Sequence, residues 1–248
     1  MLAIGCASRA PTKPTLADLH WLEGSWHSDR LDSRWQVVNG VMWGVALNDR
    51  GFEVNIVDRF GERADAGPLT LLSIVDGKAA MRFGLDAATP GELRFAGATG
   101  TVRVTKTAAG WRGQFTPPNG APEGFDMTAR ELVSAPELED ADRSFAVDTA
   151  RSGVAGWLAA FAPDGALWRA QGRVEHDGIA AEMTPLLASG KLTWQPHYAG
   201  RRAEVGFTLG TWAYADGKDV ASGSYVTIWK HQPDGSWKVV FDIGRPSR

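Results

Sequence analysis

The chain has 248 residues, 44% of them apolar, and a formal net charge of −3 with both signs interspersed. That supports a sizeable core in one domain or two. It excludes nucleic acid as an expected partner, because no basic block tracks phosphates. No run reaches the about 18–20 apolar residues of a membrane helix.

The single cysteine excludes an intramolecular disulfide and a cysteine-based zinc cluster. Its position is informative. Leu2-Ala3-Ile4-Gly5-Cys6 resembles the end of a bacterial lipoprotein signal, where a small residue precedes an acylated cysteine. Residues 1–15 then read as signal remnant and tether. Given a signal peptide, Cys6 is the lipidation site, the partner is a membrane through a lipid anchor, and the place is the periplasm or cell envelope. The alternative is a free thiol in a cytoplasmic protein.

Residues 16–134 carry short β patterns almost throughout. Gly51–Phe60, Leu69–Val75, Met81–Leu85, Leu93–Phe95, Thr101–Thr107, Trp111–Phe115 and Phe125–Leu132 are strand candidates. Turn signals such as Asn39-Gly40, Asp76-Gly77 and Pro117-Pro118-Asn119-Gly120 lie between them. Eight or more such strands predict a closed or nearly closed antiparallel barrel, which removes exposed edges. Most of Arg82, Arg94, Arg103, Arg112 and Arg130 would mark its wet outer face, with an inward pair as the alternative that would bind an acidic ligand. The opening Trp21-Leu22-Glu23-Gly24-Ser25-Trp26, with Asn39-Gly40-Val41-Met42-Trp43-Gly44 after it, resembles lipocalin-like domains of uncharacterised bacterial proteins.

Residues 137–246 read differently. Acidic residues at Glu137, Glu139, Asp140 and Asp142 suit a first helical turn. Val154, Trp157, Leu158 and Phe161 follow at helical spacing, with Gly153 and Gly156 as points of weakness. Phe161-Ala162-Pro163-Asp164-Gly165 would end that helix. Leu167–Val174 is a short strand candidate, Ile179–Leu187 a short helix, and Lys191–Tyr198, Ala203–Tyr214, Ser222–Gln232 and Trp237–Ile243 are four strands. Gly223–Asp242 gives the strongest signal, two alternating runs joined by Gln232-Pro233-Asp234-Gly235-Ser236.

That G-x-Y-x-x-x-W-K-x-Q-x-D-G-x-W-K-x-x-x-D run resembles the last two strands of the SnoaL-like, ketosteroid-isomerase-like branch of the nuclear transport factor 2 superfamily. The resemblance implies an α+β cone, a curved antiparallel sheet wrapped on a long helix, with a pocket inside. The expected fold is therefore β-rich with two domains, a lipocalin-like β-barrel followed by this cone.

With Asp216-Gly217 and Asp234-Gly235 as two-residue turns, Glu204 falls opposite Trp229, Thr208 opposite Tyr225 and Thr227 opposite Asp242, all on one mixed face with Trp212 and Tyr214. The other face holds Val205, Phe207, Leu209, Val226, Ile228, Trp237, Val239, Phe241 and Ile243, and is expected to form the core under the helix. Carboxylates among aromatics acquire raised pKa values suited to acid–base work. Asp242 and Tyr225 are thus catalytic candidates. His197 joins them because SnoaL-like enzymes often place a proton-transfer group near the cone's mouth. Trp157, Trp168, Trp194, Trp229, Glu204 and Thr227 are ligand-binding candidates.

No cofactor is implied. The five histidines are too scattered for a metal site, and no Gly-rich phosphate loop or G-x-S-x-G elbow occurs. The leading expectation is binding of a small, mostly apolar molecule in the cone. One alternative is a cofactor-free isomerase, cyclase or hydrolase using Asp242, Tyr225 or His197. The other is an assembly module that homodimerises through the C-terminal sheet, with Glu204 and Asp242 solvated or paired with Lys230 and Lys238.

Overall fold

The computed structural model describes residues 14–59 and 67–247. Cys6 and Phe60 lie outside the described residues. From Gly24 to Ala129 the alternating pattern folds into ten antiparallel strands: β1 (Gly24–His27), β2 (Asp32–Val38), β3 (Val41–Leu47), β4 (Phe52–Arg59), β5 (Leu69–Val75), β6 (Ala79–Thr89), β7 (Glu92–Gly97), β8 (Gly100–Lys106), β9 (Gly110–Thr116) and β10 (Glu123–Ala129). Each pairs with its neighbour in sequence, and β1 closes the barrel on β10 through Trp26 opposite Ala129. Asn39 and Gly40 both take positive φ (50° and 76°), the two-residue turn whose twist matches a hairpin.

Inside the barrel, Phe83, Phe95, Trp111 and Met127 pack with Leu19 and Leu22. Leu19 and Leu22 come from a 3₁₀ turn, Leu16–Leu22, and the Trp26 indole donates to Leu22 O at 2.7 Å to hold it in place. Part of the outside is wet, as expected: Arg112 pairs with Asp126 at 2.9 Å, and Arg94 with Asp86 at 2.6 Å. The outer faces of β3, β4 and β5 are not. Val41, Trp43, Val45, Val54, Ile56, Leu72 and Ile74 are buried there. This is why β3 reads as an unbroken apolar run: both of its faces are covered.

The second layer is a seven-stranded sheet with three helices. In chain order it comprises β11 (Val133–Ser134), α1 (Pro136–Ser152), α2 (Val154–Ala160), β12 (Phe161–Arg169), β13 (Gly172–Glu175), α3 (His176–Ser189), β14 (Lys191–Arg202), β15 (Val205–Ala215), β16 (Val220–His231) and β17 (Trp237–Pro246). The strand order is β11-β14-β15-β16-β17-β12-β13. Gly153, at φ 60° and ψ −134°, separates α1 from α2. Phe161 begins a strand instead of ending a helix, because β12 runs parallel to β17 and takes up Pro163 and Asp164 in an irregularity between Phe161 and Ala166. The expected single strand Leu167–Val174 is the β12–β13 hairpin.

Two corrections concern register and face. The β15–β16 loop is four residues long, Asp216 to Asp219, so Thr208 faces Thr227, Gly210 faces Tyr225 and Gly206 faces Trp229. The slip is two residues, which preserves the face. Thr227 does lie opposite Asp242. A bulge at Val240, between the Ile228–Phe241 and Trp229–Val239 pairs, turns Val239 and Trp237 onto the mixed face.

The larger correction is what covers each face. Val205, Phe207, Leu209, Val226, Ile228, Phe241 and Ile243 pack against the barrel's outer wall, not under the helices. The mixed face lies under α1, α2 and α3, with Trp229 and Val239 buried against Leu138, Phe145 and Trp157. The central strands therefore have both faces covered within one chain, including the mixed face expected to dimerise. Polar bonds register the two layers: Trp43 Nε1 donates to Ser224 Oγ at 2.9 Å, Asn39 Nδ2 to Gly223 O at 3.2 Å, and Arg202 pairs with Asp32 and Asp49 at 3.2 and 2.7 Å. Among the described residues no helix is long and apolar enough to cross a membrane.

Candidate functional site

The site begins with the periodicity of α1. Leu138, Asp142, Phe145 and Thr149 recur at helical spacing and are the buried residues of that helix. The stripe thus drives a carboxyl group into the space between helix and sheet, where Asp142 is fully buried. Trp194 Nε1 donates to its Oδ1 at 2.7 Å and the Tyr225 hydroxyl to its Oδ2 at 2.8 Å. Burial pushes the Asp142 carboxyl up to about 6, outweighing the hydrogen bonds from Thr208, Tyr225 and Trp194 that favour the charge, with nearby Asp242 adding to the rise. Tyr225 stays a phenol: burial and the adjacent Asp142 raise it well above its ordinary value.

Tyr225 and Asp242 line a cavity of about 310 Å³ between the mixed face and the helices. Its walls are mainly aromatic and aliphatic, including Phe145, Trp157, Trp194, Trp212, Met183 and Leu186. The bare backbone of β16 and β17 makes the room. A Cβ at Gly223 would stand 1.9 Å from Arg245 O of the neighbouring strand and 2.7 Å from the Trp212 indole, and one at Gly244 would stand 3.3 Å from that indole. Gly210 serves Tyr225 in the same way. An added Cβ there would meet Gln195 O at 2.1 Å and the Tyr225 ring at 2.7 Å. Gly210→Ala is therefore expected to displace Tyr225 and destabilise the chain by about 1–3 kcal/mol. An unchanged denaturant midpoint would show that the ring is not seated as described.

The polar end of the cavity is Arg169 and Asp242. Thr227 Oγ1 donates to Asp242 Oδ2 at 2.9 Å, while Arg169 Nη1 stays 4.0 Å from Oδ1. Burial raises the Asp242 carboxyl above its ordinary value, against the opposing pull of Arg169 and Thr227. A carboxyl so placed, lining the cavity, can exchange a proton with a molecule held there.

Of the residues singled out from sequence, the structure brings Asp242, Tyr225, Trp157 and Trp194 to one cavity. Thr227 stands behind it, holding Asp242. Trp229 is buried beneath, its Nε1 donating to Thr208 Oγ1 at 3.0 Å. Trp168 is on the opposite face, packed on Phe241 with ring centres 6.2 Å apart, because its strand partner is Ile243. Glu204 is exposed beside the β14–β15 turn and pairs with His231 at 2.8 Å, not with a lysine. Lys238 instead donates to Ala159 O at 2.7 Å. His197 sits at an irregularity between Pro196 and Tyr198, exposed outside the cavity, 2.7 Å from Thr211 Oγ1.

Asp142 and Arg169 are additions. Asp142 was legible as an acidic residue on an apolar stripe, four residues after Leu138 and three before Phe145; its neighbours Glu139 and Asp140 hid it among first-turn carboxylates. Arg169 had no local signal, since the parallel pairing of β12 on β17 brings it to Asp242. Among the described residues no group of three or more His, Cys, Asp or Glu side chains could hold a metal ion.

Comparisons with known proteins give likenesses of fold only. A ketosteroid isomerase-like protein from Erwinia carotovora atroseptica is 13% identical, with 45% of this chain and 94% of that chain aligned at a TM-score of 0.40. A cystatin-like-fold protein of unknown function from Nostoc punctiforme is 16% identical over 47% of this chain and 95% of its own, at 0.39. A nuclear transport factor 2-like superfamily protein from Salmonella enterica serovar Typhimurium is 12% identical over 46% and 90%, also at 0.39. No protein-family model matches the chain. No curated protein matches it either.

Proposed function

We propose that the chain binds a small, mostly apolar molecule in the cavity between the mixed face of the second sheet and its helices. The observation that carries this reading is the cavity itself. About 310 Å³ of space is walled by aromatic and aliphatic side chains, with only a few polar groups, chiefly Arg169 and Asp242, converging on it. Apolar walls supply affinity through surface removed from water, and a few placed polar groups supply orientation. A second reading rests on Asp242. Its carboxyl, raised by burial and lining the cavity beside Tyr225, suits proton transfer to or from the bound molecule.

Ala221 gives a clean test, because it lines the cavity yet is exposed at the end of β16. Ala221→Trp fills the entrance without touching the core. The neutral fluorophore prodan should bind the native chain with a blue-shifted emission, and its affinity for Ala221→Trp should fall about tenfold or more at an unchanged melting temperature. Equal affinity for both proteins would place binding elsewhere.

A further inference from the structure

The chemistry of the ligand follows from the polar end of the cavity. Asp242 Oδ2 is occupied by Thr227, and Oδ1 is the oxygen turned towards Arg169. The 4.0 Å between Oδ1 and Nη1 exceeds hydrogen-bond length. Arg169 is otherwise held loosely. Its Nη1 donates to Trp168 O at 3.2 Å, its Nη2 approaches Met183 Sδ at 3.2 Å, and its Nε is 3.6 Å from Glu182. A cationic donor and a carboxylate acceptor thus stand side by side without a direct bond.

Charge decides what fits between them. The guanidinium stands near two carboxyl groups, Asp242 and Glu182. An anionic ligand would meet both carboxyl groups, and a cationic one would meet the guanidinium itself, so either would carry an unfavourable charge contact into an apolar space. A ligand with an acceptor alone would leave Oδ1 unsatisfied, and one with a donor alone would leave Arg169 so. A neutral group that carries both, an acceptor oxygen and an N–H donor on one carbon, meets the pair. The indoles of Trp157, Trp194 and Trp212 suit a flat body for the rest of the molecule.

We infer that the ligand is a flat, neutral, mostly apolar molecule bearing a primary or cyclic amide, its carbonyl oxygen accepting from Arg169 and its N–H donating to Asp242 Oδ1. This rests on the cavity being the binding site, as proposed above. Calorimetric titration of the full chain at neutral pH with four naphthalene probes tests it. 2-Naphthamide should bind about tenfold tighter than 2-acetylnaphthalene, 2-naphthoate or 2-naphthylmethylammonium, the difference expected of one additional charge-assisted hydrogen bond. In Asp242→Asn the side-chain oxygen faces Thr227 and the amide nitrogen faces the cavity, so the advantage of 2-naphthamide over the ketone should vanish. Arg169→Met should reduce it as well, and the ranking on the native chain stands as a test if either variant fails to fold. Equal binding of amide and ketone would overturn the amide assignment and leave the binding cavity standing. Preference for 2-naphthoate would overturn it in favour of an anion site. No binding by any of the four would overturn the cavity reading with it.

Discussion

Trp43→Ala is expected to destabilise the whole chain by about 3–5 kcal/mol, the range for deleting a large aromatic from a packed core. Trp43 is fully buried on the outer face of β3 and sits in the cluster that joins barrel and sheet, with Phe207, Ile228 and Phe241 among its members. Its loss leaves a void on both sides and removes the donor to Ser224 Oγ. Because the seam is one continuous core, barrel and sheet should unfold in a single transition, shifted to lower denaturant with an undivided slope. Intrinsic fluorescence and circular dichroism followed together would check this. Two separate transitions, with only one displaced, would show that the layers are energetically independent.

The second large effect is a pH dependence located at Asp142. Its carboxyl stands at about 6 in the folded chain, against an ordinary value of 3.8. Below about pH 3 it is protonated whether the chain is folded or not, and burial costs no charge. As pH rises from about 4 to 6 the unfolded chain releases the proton while the folded chain retains it. Stability therefore falls across that window and levels off above it. A displacement of about two pH units corresponds to about 3 kcal/mol. Asp142→Asn removes the titrating group while keeping a side-chain oxygen for Trp194 or Tyr225. The stability of the native chain relative to this variant should therefore drop by about 3 kcal/mol between pH 3 and pH 7. Parallel curves for the two proteins would mean that Asp142 is not held in a dry site.

Local patterns made much of this architecture legible. The Gly223–Asp242 hairpin could be read because Pro233-Asp234-Gly235 forces a turn, and the Thr227–Asp242 pairing followed from it. Loop length resisted reading. Asp216-Gly217 looks like a two-residue turn, but Lys218 and Asp219 belong to the loop, their amides bonded to Asp216 Oδ1 at 2.9 and 2.8 Å. The bulge at Val240 left no local mark, and it moved Val239 and Trp237 to the other side of the sheet.

The reversal of faces has a general cause. A sheet face records how apolar its cover must be, not which element provides it. Val205, Phe207 and Leu209 demand a dry partner, and either a helix or a barrel wall would satisfy them. The unbroken run Val41-Met42-Trp43-Gly44-Val45 was the complementary sign, a barrel strand with no wet face. The placement of Trp168 and Arg169 depended on the parallel β12–β17 pairing, a contact between strands some seventy residues apart in sequence. Of the two polar groups missed from sequence, Asp142 is the one that helical periodicity could have exposed.

Everything proposed for the chain turns on whether the cavity under α1, α2 and α3 holds a small molecule. Native mass spectrometry of the chain purified from a bacterial host, run beside the same sample under denaturing conditions and beside Ala221→Trp, tests it most directly. A non-covalent adduct is expected on the native chain, lost on denaturation and absent from Ala221→Trp. An adduct carried equally by both proteins would contradict it, as would a bare native chain that also fails to take up prodan.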